Sequence, residues 1–453
     1  MKARGRAALV ALALIGIGLI GLDIAALRLH VPGQLGIGSD QRLRVFVWLM
    51  MLEMALYAIA VVIVLRTRLP PLSLALILGG AILMRGLLLF SPPFLSTDLY
   101  RYVWDGMVQN EGINPYRYMP DAPALADLRD RAIYPGINRK DTARTIYPPF
   151  AEAVYALAAR LSPTLLGMKV MMTAFDLTAI VALLFLLRRA GRPLAGILIY
   201  AWQPLPIWEF AGNGHVDAIV AATVALALLA CAARRPAAAA AALTASVLTK
   251  FLPGVLLPAV WRPRGWQFPV LMLASVAALY GAYSSVGWRV IGFLPGYVHQ
   301  EGIANGLGIF YLQLLERLVP LPPFAGRVYL AAAAIALAGL GIAIWRRDLA
   351  EEETLRARQV AADAGLLTTA LMLVLTPHYP WYFAWLLIPL CIAPSPAALY
   401  LPAASFLLYL DPIHRKLLWP ALIYGPFAVL ALSQHVWSKH LRAAGTFPRS
   451  AIG

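Results

Sequence analysis

Asp98, Arg101, Tyr102 and Asp105 fall at i, i+3, i+4 and i+7 within the run Ser96-Thr97-Asp98-Leu99-Tyr100-Arg101-Tyr102-Val103-Trp104-Asp105-Gly106. That spacing predicts a short helix with two carboxylates, a guanidinium and a phenol on one face. A positioned carboxylate can take a proton from a hydroxyl, and a guanidinium can steady charge building on a leaving group. The same residues also suit an aromatic interfacial belt with solvated charges. Asn114 follows in Gly112-Ile113-Asn114-Pro115-Tyr116, and Tyr147 in Tyr147-Pro148-Pro149.

Two further polar groups stand where apolar stretches end. Glu209 and Asn213-Gly214-His215-Val216-Asp217 flank one junction; Thr376-Pro377-His378-Tyr379-Pro380-Trp381-Tyr382 forms another. An ionisable group this close to hydrocarbon is costly and marks a functional candidate by default. Snorkelling to the headgroups is the plainer role for Glu209, and an interfacial imidazole the plainer role for His378 taken alone. Arg85 and Lys250 are cations inside apolar segments and suit a lipid phosphate at the membrane surface. Their plainer roles are a buried pair of Arg85 with Glu53 and a cytoplasmic snorkelling Lys250. Glu53, Lys169 and Asp176 are read as structural.

The elements that must hold these groups follow from composition. Of 453 residues 61% are hydrophobic and 13% charged, with a mean hydropathy of +0.72. A soluble domain carries about 25% charged residues. Here apolar runs near the ~20 residues needed to cross a bilayer recur from end to end. The fold class is all-α: one polytopic transmembrane helical bundle over residues 1–453, with about 12 spans plus short re-entrant or interfacial helices. A net charge of +16 would point a soluble protein toward a polyanion. The basic residues instead cluster in short loops, as the positive-inside bias requires, so no nucleic acid is expected as a partner.

Those basic loops orient the chain. Spans at roughly 7–27, 43–65 and 72–90 put Arg66–Arg68 inside and leave residues 91–163 as a long extracytoplasmic loop. Spans at roughly 164–187, 193–211 and 216–233 bring Arg188-Arg189 and Arg234-Arg235 back inside. Residues 236–260 have basic flanks on both sides, Pro253 and Pro258 in their second half, and Lys250 in the middle. Two short helices that dip in and return fit this pattern, since broken helices at membrane depth must be buried or line a wet cavity. One ordinary span is the alternative. Spans at roughly 268–285, 325–345, 361–376, 380–393, 397–410 and 417–434 complete an even count with both termini cytoplasmic.

Several classes drop out. Lys2, Arg4 and Arg6 precede an apolar stretch to Leu27 that is longer than the ~7–15 residues of a secretory signal, so a retained first helix is expected. Cys231 and Cys391 lie in apolar segments and read as small core residues. No zinc, P-loop, dinucleotide or kinase signature stands out. No cofactor is expected; the lack of an Asp-X-Asp pair in the outer loop weakens the case for a divalent metal without removing it.

The run Asp98–Gly106, with Gly112-Ile113-Asn114-Pro115-Tyr116 and Tyr147-Pro148-Pro149, resembles bacterial members of the C-type (GT-C) membrane glycosyltransferase superfamily. It is most similar to the polyprenyl-phosphate-mannose-dependent mannosyltransferases, including glycosyltransferase family 87. Asn213–Asp217, Lys250-Phe251-Leu252-Pro253 and Pro377-His378-Tyr379 resemble the same group, and the likeness runs over roughly residues 70–390. It implies a GT-C-like bundle in the bacterial inner membrane and transfer of a sugar, mannose first among candidates, from a polyprenyl-phosphate donor. The acceptor is a hydroxyl of a glycan or glycolipid on the extracytoplasmic face. Asp98 matches the position of the general base, and one direct displacement implies inversion.

The polar groups take roles accordingly. Arg101, Tyr102, Asp105, Asn114, Tyr147, Glu209, Asn213, His215, Asp217, His378 and Tyr379 are expected around the donor and acceptor sugars. Arg85 and Lys250 are expected at the lipid phosphate, in contact with membrane lipid. A flippase or transporter would show inverted repeats and a midplane site. A polysaccharide ligase or polymerase would carry its main loop late in the chain.

Overall fold

The computed structural model describes residues 2–30, 39–262, 265–300, 302, 306, 308–411 and 416–443; Arg264, one of the basic flanks noted above, lies outside them. The protein is an all-α polytopic membrane protein, and no strand occurs among the described residues. Among the described residues six helices are long and apolar enough to cross a bilayer: α1 (Lys2–Leu27), α2 (Asp40–Arg66), α3 (Leu72–Leu89), α6 (Leu165–Arg189), α10 (Ala325–Trp345) and α11 (Glu353–Leu375). A bent pair passes the same test only when its two helices are taken together: α9 (Gln267–Ala282) meets Ser284–Gln300 at 110°, as in a broken span or a re-entrant loop. Of the other expected spans, three are shorter or broken, α7 (Asp217–Ala232), Pro380–Ile392 and Pro396–Leu410, whereas that at 417–434 is one long helix, Leu418–Ala443; α8 (Pro236–Val247) opens the segment expected to dip in and return. Helix α4 (Asp98–Asn110) and helix α5 (Pro149–Leu161) are 13 residues each, too short to cross.

The expected span at 193–211 is not one helix. It is cut into Leu194–Ile197, Leu198–Ala201, Pro204–Pro206 and a π-helical turn, Ile207–Gly212. Pro193, Pro204 and Pro206 each remove a backbone donor, so a continuous ladder cannot form. Every residue from Gly196 to Ala225 is buried, which makes this stretch the hub of the bundle. Side-chain bonds tie the hub to the first helices, among them Tyr57 Oη to Ile199 O at 2.6 Å, Trp202 Nε1 to Ile77 O at 2.7 Å and Trp208 Nε1 to Asp23 Oδ1 at 2.9 Å. Freed backbone at membrane depth is thus enclosed in protein, as it must be.

Residues 236–260 double back. Helix α8 packs along α7 and ends at Val247; Leu252–Leu256 and Leu257–Val260 then return along it. Lys250, at the turn, bonds Asp217 at one end of α7, whereas Ala259 and Arg262 lie beside Cys231 near the other end, with Cys231 Sγ 3.8 Å from Ala259 O. The basic loops meet at that second end. Arg234 pairs with Glu351, Arg262 and Arg347 share Asp363, and Arg189 pairs with Glu353.

Candidate active site

Helix α4 forms as its spacing predicts, and its two ends differ. At the start, Asp98 and Arg101 face a cavity of about 700 Å³, within the usual range for a small-ligand site. Farther along, Tyr102 and Asp105 turn inward against α5. The two helices touch because Gly106 has no side chain: a Cβ there would stand 2.3 Å from Tyr155 O. Tyr102 stacks on Tyr155 at 4.7 Å and accepts a hydrogen bond from Tyr147 Oη at 3.2 Å.

Arg101 reaches the cavity already paired. Its Nε donates to both oxygens of Asp105, at 2.8 and 2.9 Å, and its Nη1 donates to Ala143 O at 3.1 Å. Beside this pair Glu152 accepts from Thr145 Oγ1 at 2.5 Å and from Gln109 Nε2 at 2.9 Å. Burial holds the Asp105 carboxyl above its usual range, against the pull of Arg101. Burial also holds Glu152 well above its own, helped by the charge of Asp105 and opposed by the Thr145 hydroxyl.

The opposite wall comes from the doubled-back segment. Lys250 lines the cavity, donates to Asp217 Oδ2 at 2.7 Å and lies 4.3 Å from the centre of the Tyr382 ring. Backbone bonds lock this wall to the first: Leu248 O accepts from Phe150 N at 3.0 Å and Ala151 N at 3.3 Å, capping α5. His378 and Tyr379 also line the cavity, with His378 Nε2 2.8 Å from Gly308 O. Phe251, Leu252, Phe293, Leu294, Leu330 and Leu375 add apolar wall to the same cavity.

Asp98, Arg101, Tyr147, Lys250, His378 and Tyr379 therefore share one cavity, and the other expected site residues do not line it. Asn213 sits beneath, where Oδ1 accepts from both Phe94 N and Leu95 N at 2.9 Å and fixes the entry to α4. Glu209 is the next residue down, accepting from Asn213 Nδ2 at 3.1 Å and from Tyr409 Oη at 2.6 Å. His215 lies 3.4 Å from Glu209 and stacks on Trp381 at 4.1 Å. Asn114 is turned away, bonded to Tyr283 O and Ser285 Oγ.

Arg85 does not line the cavity, and its partner is Asp176 rather than Glu53. Its Nε lies 2.5 Å from Asp176 Oδ2, its Nη1 donates to Ala201 O at 2.7 Å, and it is buried. A guanidinium enclosed in apolar helices needs an enclosed carboxylate, and Asp176 across the α3–α6 contact supplies it.

Asn138, whose Nδ2 donates to Asp98 Oδ1 at 2.7 Å, was not singled out in the sequence, and neither were Tyr297 and Tyr382, which bond each other at 3.2 Å in the cavity wall. Their stretches have no helical period to single them out; the aromatic density around Trp381 was the one available signal. Among the described residues no group of three or more His, Cys, Asp or Glu side chains is placed to hold a metal.

Compared with known families, residues 3–262 match the model for the MptA_B family, "Alpha-(1->6)-mannopyranosyltransferase, N-terminal domain". The chain belongs to this mannosyltransferase family. The protein is thus a membrane glycosyltransferase of GT-C-like type, with a sugar donor and a glycan acceptor. No curated protein and no solved structure matches the chain. The match takes in Asp98, Arg101, Tyr147 and Lys250 and stops where the doubled-back segment ends; His378, Tyr379 and much of the apolar wall lie beyond it.

Proposed function

We propose that this mannosyltransferase moves mannose from a polyprenyl-phosphate donor to an acceptor hydroxyl on the extracytoplasmic face of the bacterial inner membrane, with Asp98 as the base. One observation carries the reading: a carboxylate (Asp98), a held cation (Lys250) and an apolar wall that includes Phe251 and Phe293 meet in one cavity. The apolar wall suits a prenyl chain. Lys250, steadied by Asp217 and the Tyr382 ring, suits the phosphate that gathers charge as the bond breaks. Asp98 suits the hydroxyl, which is a poor nucleophile without a base.

In this reading the acceptor oxygen bonds the anomeric carbon as its proton passes to Asp98. The carbon–oxygen bond to phosphate breaks, and its electron pair stays on the phosphate beside Lys250. A single displacement inverts the centre, so an α-linked product requires a β-linked donor. The gathering of Arg189, Arg234, Arg262 and Arg347 at the far end of the bundle supports an outward-facing cavity under the positive-inside bias, and supports reading 236–260 as re-entrant. The likeness of Asp98–Gly106 to enzymes with lipid-linked donors supports the choice of donor.

The test is transfer by purified protein from defined polyprenyl-phosphate mannose of each anomer. Transfer from the β donor alone is expected. Asp98→Asn should lower turnover by ~10²–10⁴-fold, the usual contribution of a base, with donor affinity kept. Near-normal turnover in that variant would remove Asp98 from the role.

A further inference from the structure

A carboxylate on the first residue of a helix can rotate, yet a base must present one edge to its hydroxyl. Asp98 opens α4 and stands half-buried in the cavity wall. Asn138 Nδ2 donates to its Oδ1 at 2.7 Å and reaches Thr97 Oγ1 at 3.4 Å. A purpose-built turn delivers that amide. Tyr134–Gly136 forms one 3-10 turn over α4, and Gly136 lies so close to the Tyr100 ring that a Cβ would stand 2.4 Å from Cδ1. Ile133 and Ile137 are buried on either side. Arg139 follows at φ +50°, and its carbonyl accepts from Thr142 N and Ala143 N. A non-glycine residue in the left-handed region persists where its surroundings over-determine it, and such residues gather at functional sites.

We infer that Asn138 is a positioning residue for the transfer: its amide fixes the orientation of the Asp98 carboxylate, and with it the edge that meets the acceptor hydroxyl. This rests on Asp98 being the base. The amide cannot itself accept the proton, so its action runs through Asp98. Around the carboxylate stand Arg101 and Arg139 in the cavity wall, Lys250 at the hairpin tip, Asp217 and Glu209 beneath, and the phenols of Tyr102, Tyr147, Tyr155 and Tyr409. An Asn138 substitution removes none of these groups. A hydrogen bond donated to a carboxylate favours its charged form. Losing it makes Asp98 easier to protonate, so the acid limb of the rate profile moves to higher pH.

The experiment measures kcat, donor KM and the pH profile with β-linked polyprenyl-phosphate mannose for Asp98→Asn, Asn138→Ala, Asn138→Gln and Asn138→Asp. Asn138→Ala should lower kcat roughly 10- to 100-fold, the loss of one hydrogen bond to a charged group. Donor KM should stay within about twofold, because the phosphate end of the cavity is untouched. Asn138→Gln, which keeps an amide donor, should restore the acid limb and part of kcat. Asn138→Asp, nearly isosteric, sets a second carboxylate beside the first and should move the limb furthest.

Wild-type kcat with an unmoved limb in Asn138→Ala overturns the inference. So does a loss of kcat with an unmoved limb and no recovery in Asn138→Gln, which is the pattern of a merely structural residue. If Asn138→Ala does not fold, the same unmoved limb in Asn138→Asp overturns it. Near-normal turnover in Asp98→Asn defeats the base reading itself, whereas an inactive Asp98→Asn beside an indifferent Asn138→Ala defeats this inference alone.

Discussion

Two of the cations that sit deep in this bundle against a buried carboxylate have opposite surroundings. Arg85 meets Asp176 with 2% and 0% of their side chains exposed, between α3 and α6. Lys250 meets Asp217 with 16% and 0% exposed, at the tip of the doubled-back segment. The first pair has helices on every side; the second has the cavity in front of it and the Tyr382 ring beside it. A buried ion pair is therefore weak evidence of chemistry by itself. What separates the two is whether the cation keeps a face toward space that a ligand can enter.

Removing one partner from the sealed pair should have the largest consequence for the fold. Arg85→Ala strands Asp176 and should cost about 3–5 kcal/mol, typical of a broken buried pair, seen as lost yield or a collapsed melting temperature. Replacing both partners with apolar residues, Arg85→Met with Asp176→Leu, should recover much of that stability along with activity. A recovered fold without activity would break the comparison, because Arg85 would then have a role in catalysis. Lys250→Ala should do the reverse. Its stability cost should be smaller because Lys250 is partly exposed at the cavity, while donor KM rises roughly 10- to 100-fold through loss of a charge-assisted hydrogen bond to phosphate. Unchanged donor KM in a folded Lys250→Ala protein would return Lys250 to the class of Arg85.

The smallest effect should come from a third buried set, Asp105 and Glu152, where the carboxyls rise above their usual range. A carboxyl raised in the folded state binds its proton more tightly there than in the unfolded chain. Stability is then lost as pH climbs above about 4.3, the unfolded glutamate value, toward the raised folded value. Glu152→Gln abolishes that titration and keeps an oxygen for Thr145 Oγ1, so the fall in melting temperature between pH 5 and pH 8 should shrink. Asp105 should maintain part of the slope. An unaltered slope would mean that Glu152 is not the group being titrated.

Much of this was legible in one dimension, for identifiable reasons. Asp98, Arg101 and Lys250 stand out because charge against an apolar background is conspicuous, and because helical period places Asp98 and Arg101 on neighbouring turns. The break at Lys250 was announced by Pro253 and Pro258 between basic flanks. Partnerships were not legible. Whether Arg85 meets Glu53 or Asp176 depends on the register of α3 against α2 and α6, which hydropathy does not encode. Glu209, Asn213 and His215 stand out in the sequence as sugar-site candidates, but their place off the cavity lining depends on the π-helical turn at Ile207–Gly212 and the buried hub around it. Asn138 lies in a long loop without periodicity, forty residues from its partner in the chain.

Leu248 O, accepting from the first amides of α5, sets a dimension. Lys250 is two residues beyond that carbonyl, and Tyr147 is three residues before Phe150, the first amide it holds. Main chain therefore spaces the root of the Lys250 side chain from the wall that carries Tyr147, and Asp217 and the Tyr382 ring hold its ammonium end. Such a joint behaves as a gauge. Under the proposed function, substitutions on the cavity surface would retune which hydroxyls are recognised while the joint held the gap offered to the transferred ring, so a change of acceptor would be within easier reach of mutation than a change to a larger transferred unit.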